Sequence, residues 1–578
     1  MALSAPKFFG FNVPALHLID DANPTPFVVP NSFEIQDTLI SLAQAGTSVT
    51  RMYTLAYGAP VNKLTHISVS QYLETGFNWT VIPNTKDPVL YANEDLFRVM
   101  DEVFKTASDI GIKIIVPLID KLDWWGGVPA FSNFHNATQD EFFTSQRVIS
   151  NFLAMTEFVA SRNNTLTGVP YSKESGIYAW ETGNELSFRS GPVPASWTLQ
   201  VTKLLKQQIN VTQYVIDGSE SFHGWEEKVL LDDSVDGFTG HYYEIQPPPP
   251  TDPKEYAGSI FCAGLTMVFC LWTCLMWFKP DLFGFETYDT KGILSLLKIK
   301  SKKGKEQYAL QMVKTKTILL FLGFLVAGLC SIIGSVTISV VIQPKPPQSY
   351  AERFKQDHDL VLKYKKLFYV GEFGLNSISE FANLLNAVNS SQAAGALIWS
   401  MRSHNRNGSF WTHAEVDSFQ SYHWPGFQVV QDEILGSGTT ITKSGFGSDE
   451  VMAVQLIKNF SIASNSPKNY TFYQKPPVFA PILFDPVIKK LNNETFKVGL
   501  RWRGSTGAQS YKVERGLENL DSDPTLAFLL LSGNVSDAVV GNEAFLEDAV
   551  KTGQYSYRVS GENEYGQGSY SNIVTVRL

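Results

Sequence analysis

Eight short apolar runs, separated by stretches of helical periodicity, constrain this chain of 578 residues more than any other feature. The runs cover residues 8–15, 48–55, 112–119, 176–181, 228–231, 238–243, 367–370 and 395–400, and helical patterns lie between them at 94–108, 139–159, 196–216 and 377–388. Strands that alternate with helices pair in parallel, because a crossover through the helix brings the next strand alongside in the same direction. Eight such units predict an α/β fold, a (β/α)8 TIM barrel. After residue 427 the rhythm stops, and 428–473 reads as strands or irregular chain closing that unit.

From residue 476 onward the pattern is all-β. The stretches Phe496-Lys-Val-Gly-Leu-Arg-Trp502, Tyr511-Lys-Val-Glu-Arg and Tyr555-Ser-Tyr-Arg-Val-Ser alternate as strands do. With Trp502, Tyr511, Tyr557 and Asn563-Glu-Tyr-Gly they resemble a fibronectin type III module, which implies an immunoglobulin-like sandwich. Such a module is expected to act as a spacer.

Two further segments, 256–278 and 317–342, are uncharged, predominantly apolar and long enough to cross a bilayer as helices. They predict a transmembrane hairpin inserted between the sixth and seventh strands. The loop 279–316 holds nine Lys against four acids, with a cluster at Lys298, Lys300, Lys302, Lys303 and Lys305, which marks it as cytoplasmic. The flanking portions then lie outside or in a lumen. Asn-x-Ser/Thr sequons at Asn78, Asn136, Asn163, Asn210, Asn389, Asn407, Asn459, Asn469, Asn493 and Asn534 all fall in those portions. The proline-rich flanks Gln246-Pro-Pro-Pro-Pro and Gln343-Pro-Lys-Pro-Pro would act as stiff spacers. All four cysteines, Cys262, Cys270, Cys274 and Cys330, lie in the two apolar segments, which leaves none for disulfides elsewhere. The first ten residues show no signal-peptide pattern, and a start truncated upstream is expected. The expected domains are therefore 1–245 and 349–475 for the barrel, 246–348 for the membrane insertion and 476–578 for the sandwich.

A formal charge of -9 and a pI near 5.6 argue against a nucleic-acid binder. Aromatic content of 13% suits a groove that stacks rings, although core packing uses aromatics too. The chemistry is carried by two carboxylates. Tyr178-Ala-Trp-Glu-Thr-Gly-Asn184-Glu185 is an apolar run ending in an acid, and Leu367-Phe-Tyr-Val-Gly-Glu372 is a second. In a barrel the reactive groups sit at the C-terminal ends of strands, so Glu185, ending strand four, and Glu372, ending strand seven, would share one mouth. Two carboxyls about 5–5.5 Å apart cleave a glycosidic bond with retention, one as nucleophile and the other as acid and then base. Glu372 is read as the nucleophile and Glu185 as the proton donor, with Asn184 hydrogen-bonding the sugar 2-hydroxyl.

These residues resemble glycoside hydrolase family five, and Trp180-Glu-Thr-Gly-Asn-Glu185 is similar to the Trp-Glu-x-x-Asn-Glu motif of its β-mannanases. The resemblance covers about residues 8–427 without the hairpin. It implies that Arg51 hydrogen-bonds the nucleophile, that Tyr243 of His241-Tyr-Tyr243 orients it, and that Trp399 stacks under the reacting sugar. The loop from Arg402 through His404 and Trp411 to His413 reads as a substrate loop, and one of Trp124 and Trp125, with Trp125 preferred, as a sugar platform. The chain departs from the mannanase pattern at Leu186-Ser187, where Pro-Arg is more usual, and at the strand-three end Lys121-Leu-Asp. The expectation is a membrane-tethered endo-β-1,4-glycosidase acting on mannan or a related β-linked polysaccharide, without metal or cofactor. The alternatives are a β-glucanase or glycolipid β-glycosidase, and an inactive carbohydrate-binding receptor.

Overall fold

The computed structural model describes residues 7–20, 27–58, 64–244, 348–415, 418–419, 421–427, 448–464, 475–516, 528–537 and 546–578. Eight parallel strands form one sheet: β1 (Phe8–Phe11), β2 (Val49–Arg51), β3 (Lys113–Pro117), β4 (Ile177–Glu181), β5 (Tyr214–Asp217), β6 (Gly237–Tyr242), β7 (Leu367–Phe373) and β8 (Gly395–Ile398). Hydrogen bonding runs β1-β8-β7-β6-β5-β4-β3-β2. The ring closes where Asn12 bridges Arg51 in parallel and the Val13 amide donates to the Arg51 carbonyl at 2.9 Å. A closed sheet leaves no edge, so this is a (β/α)8 barrel.

Side-chain alternation explains why these segments are strands. Phe8, Val49, Ile115, Ala179, Ile216, Tyr369 and Leu397, one from each strand except β6, pack together inside the barrel. Their neighbours Phe9, Phe11, Ile114, Val116, Phe368, Val370 and Ile398 join the larger core beneath the helices. Strands buried on both faces read as continuous apolar runs, which is why they stand out in the sequence. The helices carry their own start signals: Asn31 and Glu34 form a reciprocal capping box on Ser32–Gln44, and Ser349 and Glu352 do the same on Tyr350–Lys363.

The structure corrects four local expectations. Residues 228–231 are not a strand but the helical turn Glu227–Leu231, and the fifth strand is Tyr214–Asp217, which overlaps the end of the region 196–216 read as helix. The helix there passes into a π-helical turn, Leu204–Ile209, and stops at Asn210, whose φ of 58° is left-handed, so the β-branched pair Val215-Ile216 is free to extend. The pattern at 139–159 is two helices, Gln139–Thr144 and Gln146–Ser161, separated at Ser145 by extended backbone. Within 428–473, Ser448–Ser464 is a helix rather than strand or irregular chain; Phe460 meets Phe9, and Ser461 Oγ donates to the Phe9 carbonyl at 2.7 Å.

Beyond residue 475 the described residues contain strands and no helix. Val487–Lys490, Thr495–Leu500 and Leu546–Lys551 make one antiparallel sheet, and Phe528–Val535, Ser510–Gly516, Gln554–Asn563, Gly566–Tyr570 and Val574–Arg577 make a second. Trp502, Tyr511, Tyr557, Val498 and Val559 form their common core. Barrel and β region belong to one unit, Met1–Glu244 with Ser349–Leu578. Among the described residues no helix is long and apolar enough to cross a membrane. The two apolar segments 256–278 and 317–342, the lysine-rich loop, the proline flanks and the cysteines lie outside the described residues, as do the first six residues and Asn469.

Candidate active site

Strand β4 ends at Glu181, four residues before the acid singled out in the sequence, and the intervening turn is what delivers Glu185. A Cβ on Gly183 would stand 2.5 Å from the Ile119 carbonyl, and one on Gly218 would stand 1.8 Å from the Gly183 carbonyl. Glycine at both positions lets the turn slide between its neighbours. Asn184 then pairs with Asp120 beyond β3, and the Leu186 amide donates to the Gly218 carbonyl beyond β5. Held from both sides, Glu185 adopts φ 52°, a region that L residues rarely enter. Glu372 is aimed by a different device. The β7–β6 register slips between Val370 and Glu372, and such an irregularity redirects a side chain.

The two carboxylates meet. Glu185, Glu372 and His241 each offer an atom within 4.8 Å of the others. Arg51 is fully buried and donates Nη1 to Glu372 Oε1 at 2.6 Å, Nε to Glu181 Oε2 at 2.8 Å and Nη2 to Asn184 Oδ1 at 2.8 Å. Tyr243 Oη donates to the other oxygen, Glu372 Oε2, at 2.6 Å. His241 Nδ1 lies 2.9 Å from Glu185 Oε1 and 3.6 Å from Glu372 Oε2. The helix Tyr350–Lys363 secures this corner: Arg353 Nη1 donates to the Tyr243 carbonyl at 2.7 Å, and its guanidinium lies over the Tyr242 ring.

Electrostatics follow from burial. Loss of water pushes the Glu372 carboxyl above its ordinary value, against the pull of His241 and Arg51 and with a further push from Glu185. Burial also lowers His241, so its imidazole is neutral at pH 7. Asp120 rises to about 6 through burial, although Asn184 and Tyr53 hydrogen-bond it and draw it back. The trio Glu185, His241 and Glu372 has the donor types of a metal site. However, both Glu372 oxygens are already taken, and a guanidinium at 2.6 Å opposes a second cation there.

An aromatic wall flanks the acids. Trp399 lies 5.9 Å from Tyr53 and 6.2 Å from Trp124, and Trp124 lies 5.0 Å from His413 with the rings tilted by 30°. Trp124 is half-buried and Trp125 fully buried, packed edge-on against His17, Phe27 and Tyr53. This corrects the preference for Trp125 as the platform, because a ring enclosed on every side cannot receive a sugar.

The loop after β8 divides. His413 reaches the wall, but His404 and Trp411 serve the frame rather than the cleft. His404 is buried between Asp37 of the helix Ser32–Gln44, at 2.9 Å, and Asp537 of the C-terminal region, at 3.1 Å. Trp411 Nε1 donates to Glu34 Oε1 of the same helix at 3.0 Å, and Arg402 is buried and donates to Ser400 Oγ at 2.8 Å. Reading His404 and Trp411 as substrate contacts is corrected accordingly. Sequence reasoning missed Asp120, Tyr53 and Glu181 as members of the cluster. Their signal is positional, since Asp120 follows the apolar run of β3 and Glu181 closes β4.

No family model matches the chain. Mannan endo-1,4-beta-mannosidase 1 of rice (Oryza sativa subsp. japonica) is 34% identical over 141 residues, which are 23% of this chain and 32% of that protein. Mannan endo-1,4-beta-mannosidase 2 of Arabidopsis thaliana is 28% identical over 145 residues, 23% of this chain and 33% of that protein. The chain thus spans about a third of the length of the curated relatives it matches. Among solved structures, the endo-beta-1,4-mannanase from Thermotoga petrophila aligns over 99% of this chain and 97% of that one, with a TM-score of 0.47 at 14% identity. The endo-1,4-beta-mannanase from Rhizomucor miehei covers 79% and 94%, with a TM-score of 0.46 at 14% identity. The barrel rests on its strand order and closure rather than on these likenesses.

Proposed function

We propose that the chain is a retaining glycoside hydrolase of mannanase type that cleaves internal β-1,4 bonds of a β-linked polysaccharide. The observation that carries this reading is the pair of carboxylates, Glu185 and Glu372, with reactive atoms within 4.8 Å, one of them gripped by Arg51 and Tyr243. Similarity to plant mannan endo-1,4-beta-mannosidases supports the substrate class. In the first step a Glu372 oxygen bonds to the anomeric carbon while that carbon releases the leaving oxygen, which takes the Glu185 proton. In the second step Glu185, now a carboxylate, removes a proton from water as the water oxygen displaces the Glu372 ester. The two steps together consume one water and need no other co-reactant. Arg51 and Tyr243 fix the attacking carboxylate, and Trp124, backed by the buried Trp399, offers an apolar ring to the face of a sugar.

The membrane hairpin and the outward placement of both flanking portions belong to the same proposal and rest on hydropathy, charge and sequons alone. The C-terminal β region, read as fibronectin type III-like, supports the barrel. The test is a panel of mannan, β-glucan and glucosylceramide offered to the full-length protein, its Glu372→Gln variant and its Glu185→Gln variant. The expected result is mannan cleavage by wild type, a fall on the order of 10⁴-fold or more in kcat for Glu372→Gln and about 10²–10⁴-fold for Glu185→Gln. Absence of turnover on every β-glycoside would refute catalysis and favour a carbohydrate receptor.

A further inference from the structure

Asp120 takes no part in the two-step reaction above, yet it is fully buried beside it. Its Oδ1 accepts from Asn184 Nδ2 at 3.0 Å, and its Oδ2 accepts from Tyr53 Oη at 2.7 Å. The opposite end of the same amide, Asn184 Oδ1, accepts from Arg51 Nη2 at 2.8 Å. An amide rotated by half a turn would set its oxygen against the Asp120 carboxylate and its NH2 against the guanidinium, replacing two charge-assisted hydrogen bonds by two repulsions. The backbone makes the arrangement rigid: Asp120 and Asn184 form a parallel bridge, the Lys121 amide donates to the Asn184 carbonyl at 3.0 Å, and the Val128 amide donates to the Asp120 carbonyl at 2.8 Å.

We propose that Asp120 is a positioning residue for the glycosidase reaction, holding the Asn184 amide so that its second N–H, and never its oxygen, is presented to the 2-hydroxyl of the reacting sugar. The inference rests on the glycosidase reading of the site. One Nδ2 hydrogen is committed to Asp120, which fixes where the other points. The 2-hydroxyl is where a hydrogen bond strengthens most as positive charge develops on the ring, so an amide free to rotate would lose rate more than binding. Tyr53 couples this lock to the wall, because the ring whose hydroxyl holds Asp120 packs against Trp124 and Trp399.

A pair of substrates separates positioning from mere support of the fold. Wild type, Asp120→Ala and Asp120→Asn are assayed on 2,4-dinitrophenyl β-mannobioside, or the cellobioside if β-glucan is what the panel shows to be cleaved, and on the analogue lacking the 2-hydroxyl of the reacting ring. Asp120→Ala is expected to lower kcat about 10- to 100-fold on the parent, with KM little changed, and less than about threefold on the 2-deoxy analogue. Asp120→Asn keeps an acceptor for Asn184 and should stay within about fivefold of wild type on both. If Asp120→Ala does not fold, Asp120→Ser, whose hydroxyl falls short of the amide, carries the same comparison. An equal penalty on both substrates, or none on either, overturns the proposal while leaving the glycosidase reading intact. Wild-type protein inert on the polysaccharide panel removes that reading, and the proposal with it.

Discussion

Two buried clusters of charge, one at the barrel mouth and one at the seam with the C-terminal region, are built from the same groups and behave in opposite ways. At the seam, His404 lies between Asp37 and Asp537, with Thr506 Oγ1 donating to Asp37 at 2.6 Å and Tyr511 Oη to Asp537 at 2.6 Å. Burial alone would lower the histidine and raise Asp37. Their mutual attraction wins, so His404 is raised to about 10 and Asp37 is held below the ordinary carboxylate range. At the mouth Arg51 is shared among Glu181, Glu372 and Asn184, and burial wins instead, raising both Glu372 and Asp120. The seam is a settled ion network that stabilises the fold. The mouth holds carboxylates in a place that disfavours their charge, which is the usual condition of groups that exchange protons or attack.

The contrast breaks most easily at the seam. His404→Leu should cost about 3–5 kcal/mol of stability, read by denaturant unfolding of the full chain, because two buried aspartates lose their cation. Glu372→Gln should cost little or nothing in the same measurement, and a loss as large as that of His404→Leu would erase the distinction. The wall offers a second cut. Trp125→Ala should destabilise by about 3 kcal/mol, whereas Trp124→Ala should leave stability nearly unchanged and raise KM roughly three- to tenfold. If the two variants exchange these phenotypes, the assignment of the platform is wrong.

The smallest effect is in pH. His404, raised from 6.5 to about 10, contributes stability that is complete below about 6.5 and is lost as pH rises through about 10. Asp37, depressed, contributes above its unfolded value and loses that contribution on acidification. Asp120 is raised to about 6, so its contribution is present below about 3.8 and lost as pH rises through about 6. Wild type at pH 8 therefore carries an unfavourable charge that Asp120→Asn removes. The variant should melt higher than wild type at pH 8 and with no such advantage at pH 4; a difference independent of pH would place the effect elsewhere.

Much of this is legible in the sequence alone. Seven of the eight strands announce themselves because burial on both faces leaves an unbroken apolar run, and the acids are visible because Glu372 lies near the end of such a run and Glu185 follows four residues after another. Strand β5 was hidden by the helix before it, whose apolar residues run on into Tyr214–Asp217 without a proline or glycine to mark the break. Trp124 and Trp125 are adjacent and chemically alike, and only packing tells which ring is enclosed. The loop 402–413 misleads for a deeper reason. Histidine and tryptophan in a polar stretch look the same whether they face a sugar or a distant part of the chain, and the partners of His404 stand 367 and 133 residues away.

The chain leaves the barrel just after Tyr243 and returns at Ser349, and Arg353 knots those two stems together through the Tyr243 carbonyl. A loop tied at its neck transmits little of what happens beyond the knot, since the cost of closing it has already been met by local contacts and grows only slowly with its length. The tyrosine that steadies Glu372 is thereby anchored by contacts that lie wholly on the barrel side of both stems.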